Sequence, residues 1–130
     1  KAEVNKANYN GVTPLFMAAK NGHLEVVKFL VGQGKAEVDK ATSLDEVPLD
    51  VAAEKGHLEV VEFLVGQGKA EVNKANYNGV TPLFMAAKNG HLEVVKFLVG
   101  QGKAEVDKAT SLDEVPLDVA AEKGHLEVVE

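Results

Sequence analysis

The sequence TPLFMAAKNGHLEVVKFLVGQG, which runs from Thr13 to Gly34, decides the fold, and it returns unchanged at residues 81–102. The longer segment 69–130 is identical to segment 1–62, which gives a period of 68 residues. A finer period of 34 residues lies inside it, because each such unit contains one proline and one GHLEVV motif. Repeats with periods of about 20–50 residues are typical of solenoids, propellers and arrays.

The 34-residue period divides the chain into four units of two types. The first and third units, residues 1–34 and 69–102, share one sequence and are called A. The second and fourth, residues 35–68 and the incomplete 103–130, are called B, and the two types differ at 12 of 34 positions. We expect the whole chain, residues 1–130, to form a single repeat domain.

Each unit is predicted to contain two short helices. The hydroxyl of Thr13 can cap the first helix, Pro14 suits the first helical position, and Gly22 can end the helix in the left-handed conformation. In the second helix, apolar residues recur with the i, i+3, i+4, i+7 spacing of one helical face. We therefore predict helices at Pro14–Asn21 and Leu24–Val31, with equivalents 34, 68 and 102 residues later. The last of these is cut short, and the polar connectors KAEVNKANYNG are expected to form hairpins.

Helices of this length do not persist alone in water, so the units must stack on one another. The B units should begin their first helix less securely than the A units. Val47 replaces the capping threonine there and cannot cap, while Asp45 replaces the turn glycine. Aspartate tolerates left-handed backbone better than most residues.

These motifs carry a family resemblance. The pattern G-V-TPL-F-M-AA-KNGHLEVVKFLV, followed by EVN, resembles the ankyrin repeat in its TPL turn, paired alanines, Gly-His and hydrophobic second helix. The resemblance covers the whole chain and implies an all-α ankyrin-type helix-turn-helix solenoid with hairpin-like connectors. The fourth residue of the family's TPLH motif is Phe16 in A and Asp50 in B, so the family's usual polar bridge between repeats should be missing. Each unit also has one residue more than the family's typical 33, which we assign to Lys35 and its equivalents.

Composition excludes several classes of partner. A net charge of −6 and the absence of arginine argue against nucleic acid, because phosphate-binding surfaces need clustered basic residues. The chain has no cysteine for a disulfide or a thiolate metal site. No apolar run reaches the roughly 18 residues of a membrane span, and no signal-peptide segment is recognisable at residues 1–10. The chain is therefore predicted to be intracellular and cytoplasmic, with no membrane partner.

No catalytic, metal or cofactor site is expected. The four histidines lie one repeat apart, roughly 10 Å, whereas zinc needs each ligand within about 2.1 Å. Each histidine is instead expected to hold the turn between its two helices. The B-unit carboxylates have no nucleophile–base pair or phosphate loop beside them, and GQGK lacks the Gly-Lys-Ser/Thr order. The B-unit carboxylates are predicted to form a solvated acidic surface.

The differences between A and B lie largely in the connector tip and on one face of the first helix, whereas the apolar positions of both helices are mostly unchanged. The family resemblance implies that this face lines a groove that binds protein partners; the alternative is that exposed positions simply drift. The predicted partner-binding residues share this face. They are Tyr9, Val12, Phe16, Met17, Lys20, Asp45, Glu46, Asp50, Glu54, Tyr77, Val80, Phe84, Met85, Lys88, Asp113, Glu114, Asp118 and Glu122.

The A units offer aromatic and flexible apolar side chains, and the B units offer carboxylates, so a protein partner with basic and apolar features would fit. The alternative function is structural: a spacer, spring or filament segment without a specific partner. Natural solenoids finish in capping repeats with polar outer faces, which this chain lacks. We therefore expect a longer parent array or copies stacked end to end. The identical copies indicate recent duplication, sequence homogenisation or construction as a concatemer.

Overall fold

The computed structural model describes residues 3–105, and within this range the chain forms three helix pairs and no strand. The helices of the fourth unit, predicted at equivalent positions, lie outside the described residues. The six helices follow one another at the predicted places. They are α1 (Pro14–Lys20), α2 (Leu24–Gly32), α3 (Pro48–Lys55), α4 (Leu58–Gly66), α5 (Pro82–Lys88) and α6 (Leu92–Gly100).

The local signals of the A units act as predicted. The Thr13 hydroxyl oxygen accepts a hydrogen bond from the Phe16 amide at 3.1 Å, and Thr81 does the same for α5. Gly22 follows α1 in the left-handed conformation, with φ 71°. The second helices run one residue beyond the predicted end, through Gly32 in the first unit.

The B-type first helix begins differently. Val47 has no polar side chain, but the Asp50 carboxylate accepts a hydrogen bond from the Val47 amide at 3.1 Å. Asp45 takes the left-handed conformation expected of it, with φ 63°. This bond satisfies the amide of the cap residue itself, whereas the threonine hydroxyl of the A units accepts from the third helical amide and has no counterpart in α3. The helix α3 is nevertheless one residue longer than α1.

The helices form two rows. In one row α1 packs against α3 and α3 against α5; in the other α2 packs against α4 and α4 against α6. Within each of the three described units the two helices also pack on each other. The core between the rows is aliphatic, and its fully buried side chains are mostly leucines and valines. They include Leu15, Leu49, Leu64, Leu83, Leu98, Val27, Val60, Val61 and Val94.

The connectors are hairpin-like turns, as predicted. The first is closed by a hydrogen bond from the Asn8 amide to the Val12 carbonyl at 3.1 Å, and equivalent bonds close the next two at 2.8 and 3.0 Å. Successive connectors are also linked to one another. The Asn5 side chain accepts from the Glu37 amide at 2.8 Å, and the Asp39 carboxylate accepts from the Glu71 amide at 3.3 Å. The additional lysines Lys35, Lys69 and Lys103 adopt the left-handed conformation, with φ of 57–59°.

Candidate protein-binding surface

A large aromatic or aliphatic side chain is exposed at the tip of each of the first three connectors. Tyr9, Leu44 and Tyr77 have exposed fractions of 106%, 73% and 81%. The two tyrosines belong to the predicted surface, but Leu44 does not. The B unit has serine where the A unit has tyrosine, and its exposed apolar residue comes one position later. The sequence signal for Leu44 is an apolar residue in the polar tip of the connector, whichever of the two positions it occupies.

The backbone of each tip is held by a side chain at its base. Asn8 Oδ1 accepts hydrogen bonds from the amides of Asn10 at 2.9 Å and Val12 at 3.0 Å, and the third unit repeats this pair. In the B unit the Thr42 hydroxyl accepts from the amides two and four residues later, at 3.2 and 3.3 Å. The first two tips are joined by a bond of 2.9 Å from the Ser43 amide to the Asn10 carbonyl. The exposed side chains therefore project from preorganised loops.

The structure divides the predicted site residues into four groups. The exposed ones are Tyr9, Met17, Lys20, Tyr77 and Lys88. The half-buried ones are Val12, Asp45, Glu46, Glu54, Val80 and Met85. The buried ones are Phe16, Asp50 and Phe84. Asp113, Glu114, Asp118 and Glu122 lie outside the described residues.

The expectation that both phenylalanines are exposed is wrong. Phe16 and Phe84 have exposed fractions of only 5% and 4%. Phe84 packs with Ala87 and with the partly buried Val80, Met85 and Leu92. The third residue of the first helix packs against neighbouring elements. Burial of an aromatic ring at such a position is strongly favourable. Neither ring is available to a partner.

The expectation of a solvated surface is also wrong for Asp50, which has an exposed fraction of 8%. Its Oδ2 accepts from the Val47 amide, while its Oδ1 is buried without a hydrogen-bond partner. Burial raises the pKa of Asp50 to about 7, and the nearby carboxylates of Glu46 and Asp45 add to the rise. The Val47 amide and Lys74 oppose it.

The other predicted carboxylates of the second unit, Asp45, Glu46 and Glu54, remain partly accessible and form an acidic patch. Burial raises the pKa of Glu46, and the neighbouring Glu54 raises it further, whereas Lys20 lowers it. Lys20, Glu54 and Lys88 occupy the same position in successive units. The charge on this row therefore alternates from positive to negative to positive.

The histidines connect neighbouring units. His57 Nε2 lies 3.1 Å from the Lys20 carbonyl of the preceding unit, and His91 Nε2 lies 2.8 Å from the Glu54 carbonyl. A Cβ on Gly22 would lie 2.8 Å from the His57 ring, so glycine permits this approach. A polar bridge between repeats therefore exists, supplied by the Gly-His motif rather than by the fourth residue of TPLF or VPLD. Within residues 3–105, no group of three or more histidine or acidic side chains is arranged to hold a metal ion.

Stacked helix pairs with a 34-residue spacing and hairpin-like connectors define a helical repeat protein of the solenoid class. The family model for ankyrin repeats, in three copies, matches residues 1–76 and again residues 49–130. The chain belongs to the ankyrin repeat family, whose members generally act as protein–protein interaction modules. Comparison with curated proteins gives no match. None of the helices within residues 3–105 is long and apolar enough to cross a membrane.

Proposed function

We propose that this chain is a non-catalytic scaffold that binds a protein partner along its connector tips and the adjoining face of α1, α3 and α5. The observation that carries the proposal is the row of Tyr9, Leu44 and Tyr77 on hydrogen-bonded loops. Tyrosine supplies a large contact area at low conformational entropy, and a preorganised loop has little further ordering to do on binding. The general role of the family supports the same function.

The proposed surface combines apolar tips with charges. Met17 and Lys20 extend it in the first unit, and Glu46 and Glu54 extend it in the second. The acidic patch favours a partner that carries lysine or arginine beside an apolar region. The same chemistry returns every two units, roughly 20 Å apart at about 10 Å for each helix pair. A partner with a matching repeat would gain affinity through multivalency.

A matched pair of variants tests this function. The tip variant replaces Tyr9, Leu44 and Tyr77 with serine, and the control replaces three exposed glutamines at the same spacing, Gln33, Gln67 and Gln101, with serine. Proteins are selected from a displayed library of protein fragments on the parent chain, and their affinities for all three chains are measured by calorimetry. The expected result is a loss of at least tenfold with the tip variant and no change with the control. Equal affinity for the two variants would show the proposal to be wrong.

A second candidate function is end-to-end assembly, and a difference in exposure between equivalent residues favours it. Val26 and Phe29 on α2 have exposed fractions of 48% and 56%. The residues equivalent to Val26, Val60 on α4 and Val94 on α6, are both at 1% because the preceding unit covers them. A B unit of a second copy could cover the first unit as α4 covers α6. A head-to-tail contact that does not close produces an open filament.

Sedimentation equilibrium over a range of concentrations tests this candidate. The parent chain should show an average mass that rises above 13.8 kDa with concentration. Val26→Asp with Phe29→Asp should remain monomeric, whereas the exposed control Gln33→Asp should behave like the parent. A parent chain that stays monomeric at millimolar concentration would rule out assembly and leave the scaffold proposal intact.

A further inference from the structure

The second unit contains buried carboxylate oxygens without hydrogen-bond partners. Within the part of the chain that the structure describes, these are Oδ1 of Asp39 and Oδ1 of Asp50. Asp50 lies on α3, which packs against α1 on one side and α5 on the other. An ionised Asp50 therefore places a charge without a close cationic partner in the middle of the stacked row. Burying a charge in this way is unfavourable unless it is paired and hydrogen-bonded.

The charged groups around Asp50 do not neutralise it. From its own unit, Glu46 and Asp45 repel a negative charge on it, and from the connector of the third unit Lys74 attracts one. No ion pair within 4 Å joins Lys74 to Asp50 in the described range. The other packed helices contribute one lysine at the end of α1, one at the end of α5, and two exposed glutamates on α4. These are Lys20, Lys88, Glu59 and Glu62. Burial is the largest effect, and it raises the pKa of Asp50 to about 7.

The A units provide an internal comparison. They have phenylalanine at the position of Asp50, and they have Asn5 and Asn73 at the position of Asp39. The bonds that Asn5 and Asn73 accept from the next connector measure 2.8 Å, against 3.3 Å for the bond that Asp39 accepts. Burial raises the pKa of Asp39 as well. The buried ionisable groups therefore lie in the B unit, where it meets its neighbours.

We propose that Asp50 makes the contact of the second unit with its neighbours a joint controlled by protonation. The contact is rigid when the Asp50 carboxyl is neutral, and it opens to water when the carboxyl is ionised. A neutral carboxyl keeps one oxygen as acceptor for the Val47 amide and leaves the second without a charge to solvate. An ionised carboxylate requires water at Oδ1, and α3 must separate from α1 or α5 to admit it. This inference concerns the array itself and does not depend on what the connector tips bind.

The sign of the pH dependence follows from the raised pKa. Asp50 is expected to be ionised in the unfolded chain above pH about 4. The folded chain holds the proton until about pH 7, so between these values it binds more protons than the unfolded chain. The stability from this group is present in full below the unfolded pKa, falls as pH rises towards the folded pKa, and stays low above it.

Spin labels across the second unit test the joint. The chain has no cysteine, so Gln33→Cys and Gln101→Cys provide two unique, exposed sites at equivalent positions in the units that flank it. The distribution of label-to-label distances is measured by pulsed electron paramagnetic resonance at pH 5 and pH 8.5. We expect a narrow distribution at pH 5 that broadens or shifts to longer distance at pH 8.5. The variant Asp50→Asn should stay narrow at both pH values, and the control Glu59→Gln should respond like the parent.

Urea unfolding of the same chains gives a second readout. The urea concentration at the midpoint should decrease for the parent when the pH is raised from 5 to 8.5. The midpoint of Asp50→Asn should change much less. If Asp50→Asn does not fold, Asp50→Phe takes its place, because it copies the residue that the A units carry at this position. A parent distribution that is the same at both pH values would overturn the proposal, as would an unaltered pH response in a folded Asp50 variant.

Discussion

Phe16 and Asp50 occupy the same position in successive units, and both are buried. The position determines the burial, because the third residue of each first helix lies against neighbouring elements. The side chain determines the consequence. The phenyl ring gains free energy from its removal from water, whereas the carboxylate loses hydration and shifts its pKa upward. One position of the repeat thus stabilises the A units and makes the B unit sensitive to pH.

Replacement of Phe84 by aspartate should therefore destabilise the array severely. The ring has an exposed fraction of 4%, and truncating a buried phenylalanine typically costs about 3–5 kcal/mol, to which a buried charge adds. Urea unfolding measures the change. Met17→Asp is the matched control, because Met17 is 43% exposed and should lower the unfolding free energy by no more than about 1 kcal/mol. Similar losses from the two variants would contradict the burial of Phe84.

Lys69→Gly is expected to stabilise the chain. Lys69 is exposed and has φ 59°, a conformation that costs an L-residue roughly 1–2 kcal/mol relative to glycine. Part of this gain is offset by the greater entropy of an unfolded chain with glycine, so the net gain should be about 0.5–1 kcal/mol. Thermal unfolding with Lys55→Gly as control provides the comparison. Lys55 is the last residue of α3, where glycine should destabilise by up to about 1 kcal/mol. A loss at both sites would refute the strain at Lys69.

At the scale of the element, the helices could be predicted from the sequence because their signals are local. A threonine cap, a proline at the first position and a stripe of apolar residues act within one unit, and the six described helices follow them. The start of α3 could not be predicted from its cap residue alone. There the valine cannot accept a hydrogen bond, and the Asp50 carboxylate instead accepts one from the Val47 amide. The partner of each histidine ring could not be predicted from local signals either, since its carbonyl belongs to the preceding unit.

The Gly-His contact predicts a sharp difference between two glycines. At Gly56, where φ is 76°, a Cβ would lie 2.6 Å from Nδ1 of His91, so Gly56→Ala should destabilise by about 2 kcal/mol or more. Gly66 lies at the end of α4 and a Cβ there would meet nothing within 4 Å. Gly66→Ala should therefore be neutral or stabilise by up to about 1 kcal/mol. Chemical denaturation of both variants would refute this account if their effects were equal.

At the scale of the whole molecule, identical sequences acquire different surroundings. Val26 and Val94 belong to the same motif, yet one is 48% exposed and the other 1%. The period and the helix positions are properties of a unit, so the sequence reveals them. Burial is a property of the stack, and it cannot be read from which positions vary between A and B. This is why the variable positions of the first helix were expected to form an open surface although Phe16 and Asp50 lie inside.

The acidic patch predicts a salt-dependent affinity for a basic partner. Exposed charges are screened over about 8–10 Å at physiological ionic strength, so binding through Asp45, Glu46 and Glu54 should weaken as salt rises. The dissociation constant of a selected partner should increase severalfold between 50 and 500 mM sodium chloride. The variant with glutamine at all three positions should bind more weakly at low salt and show a flatter dependence. An affinity of the parent that holds constant over this range would assign the binding to the apolar tips alone.

The burial of Asp50 also bears on how such an array can grow. Because A and B alternate, each Asp50-type carboxyl has phenylalanine at its own position in the adjacent units. Two B units in succession would place two such carboxyls on helices packed side by side, where each raises the pKa of the other. A single unit inserted within the array always creates a like–like junction, whereas an A–B pair inserted directly after a B unit adds only junction types that the molecule already contains. The 68-residue period is therefore the smallest internal insertion that creates no new type of junction.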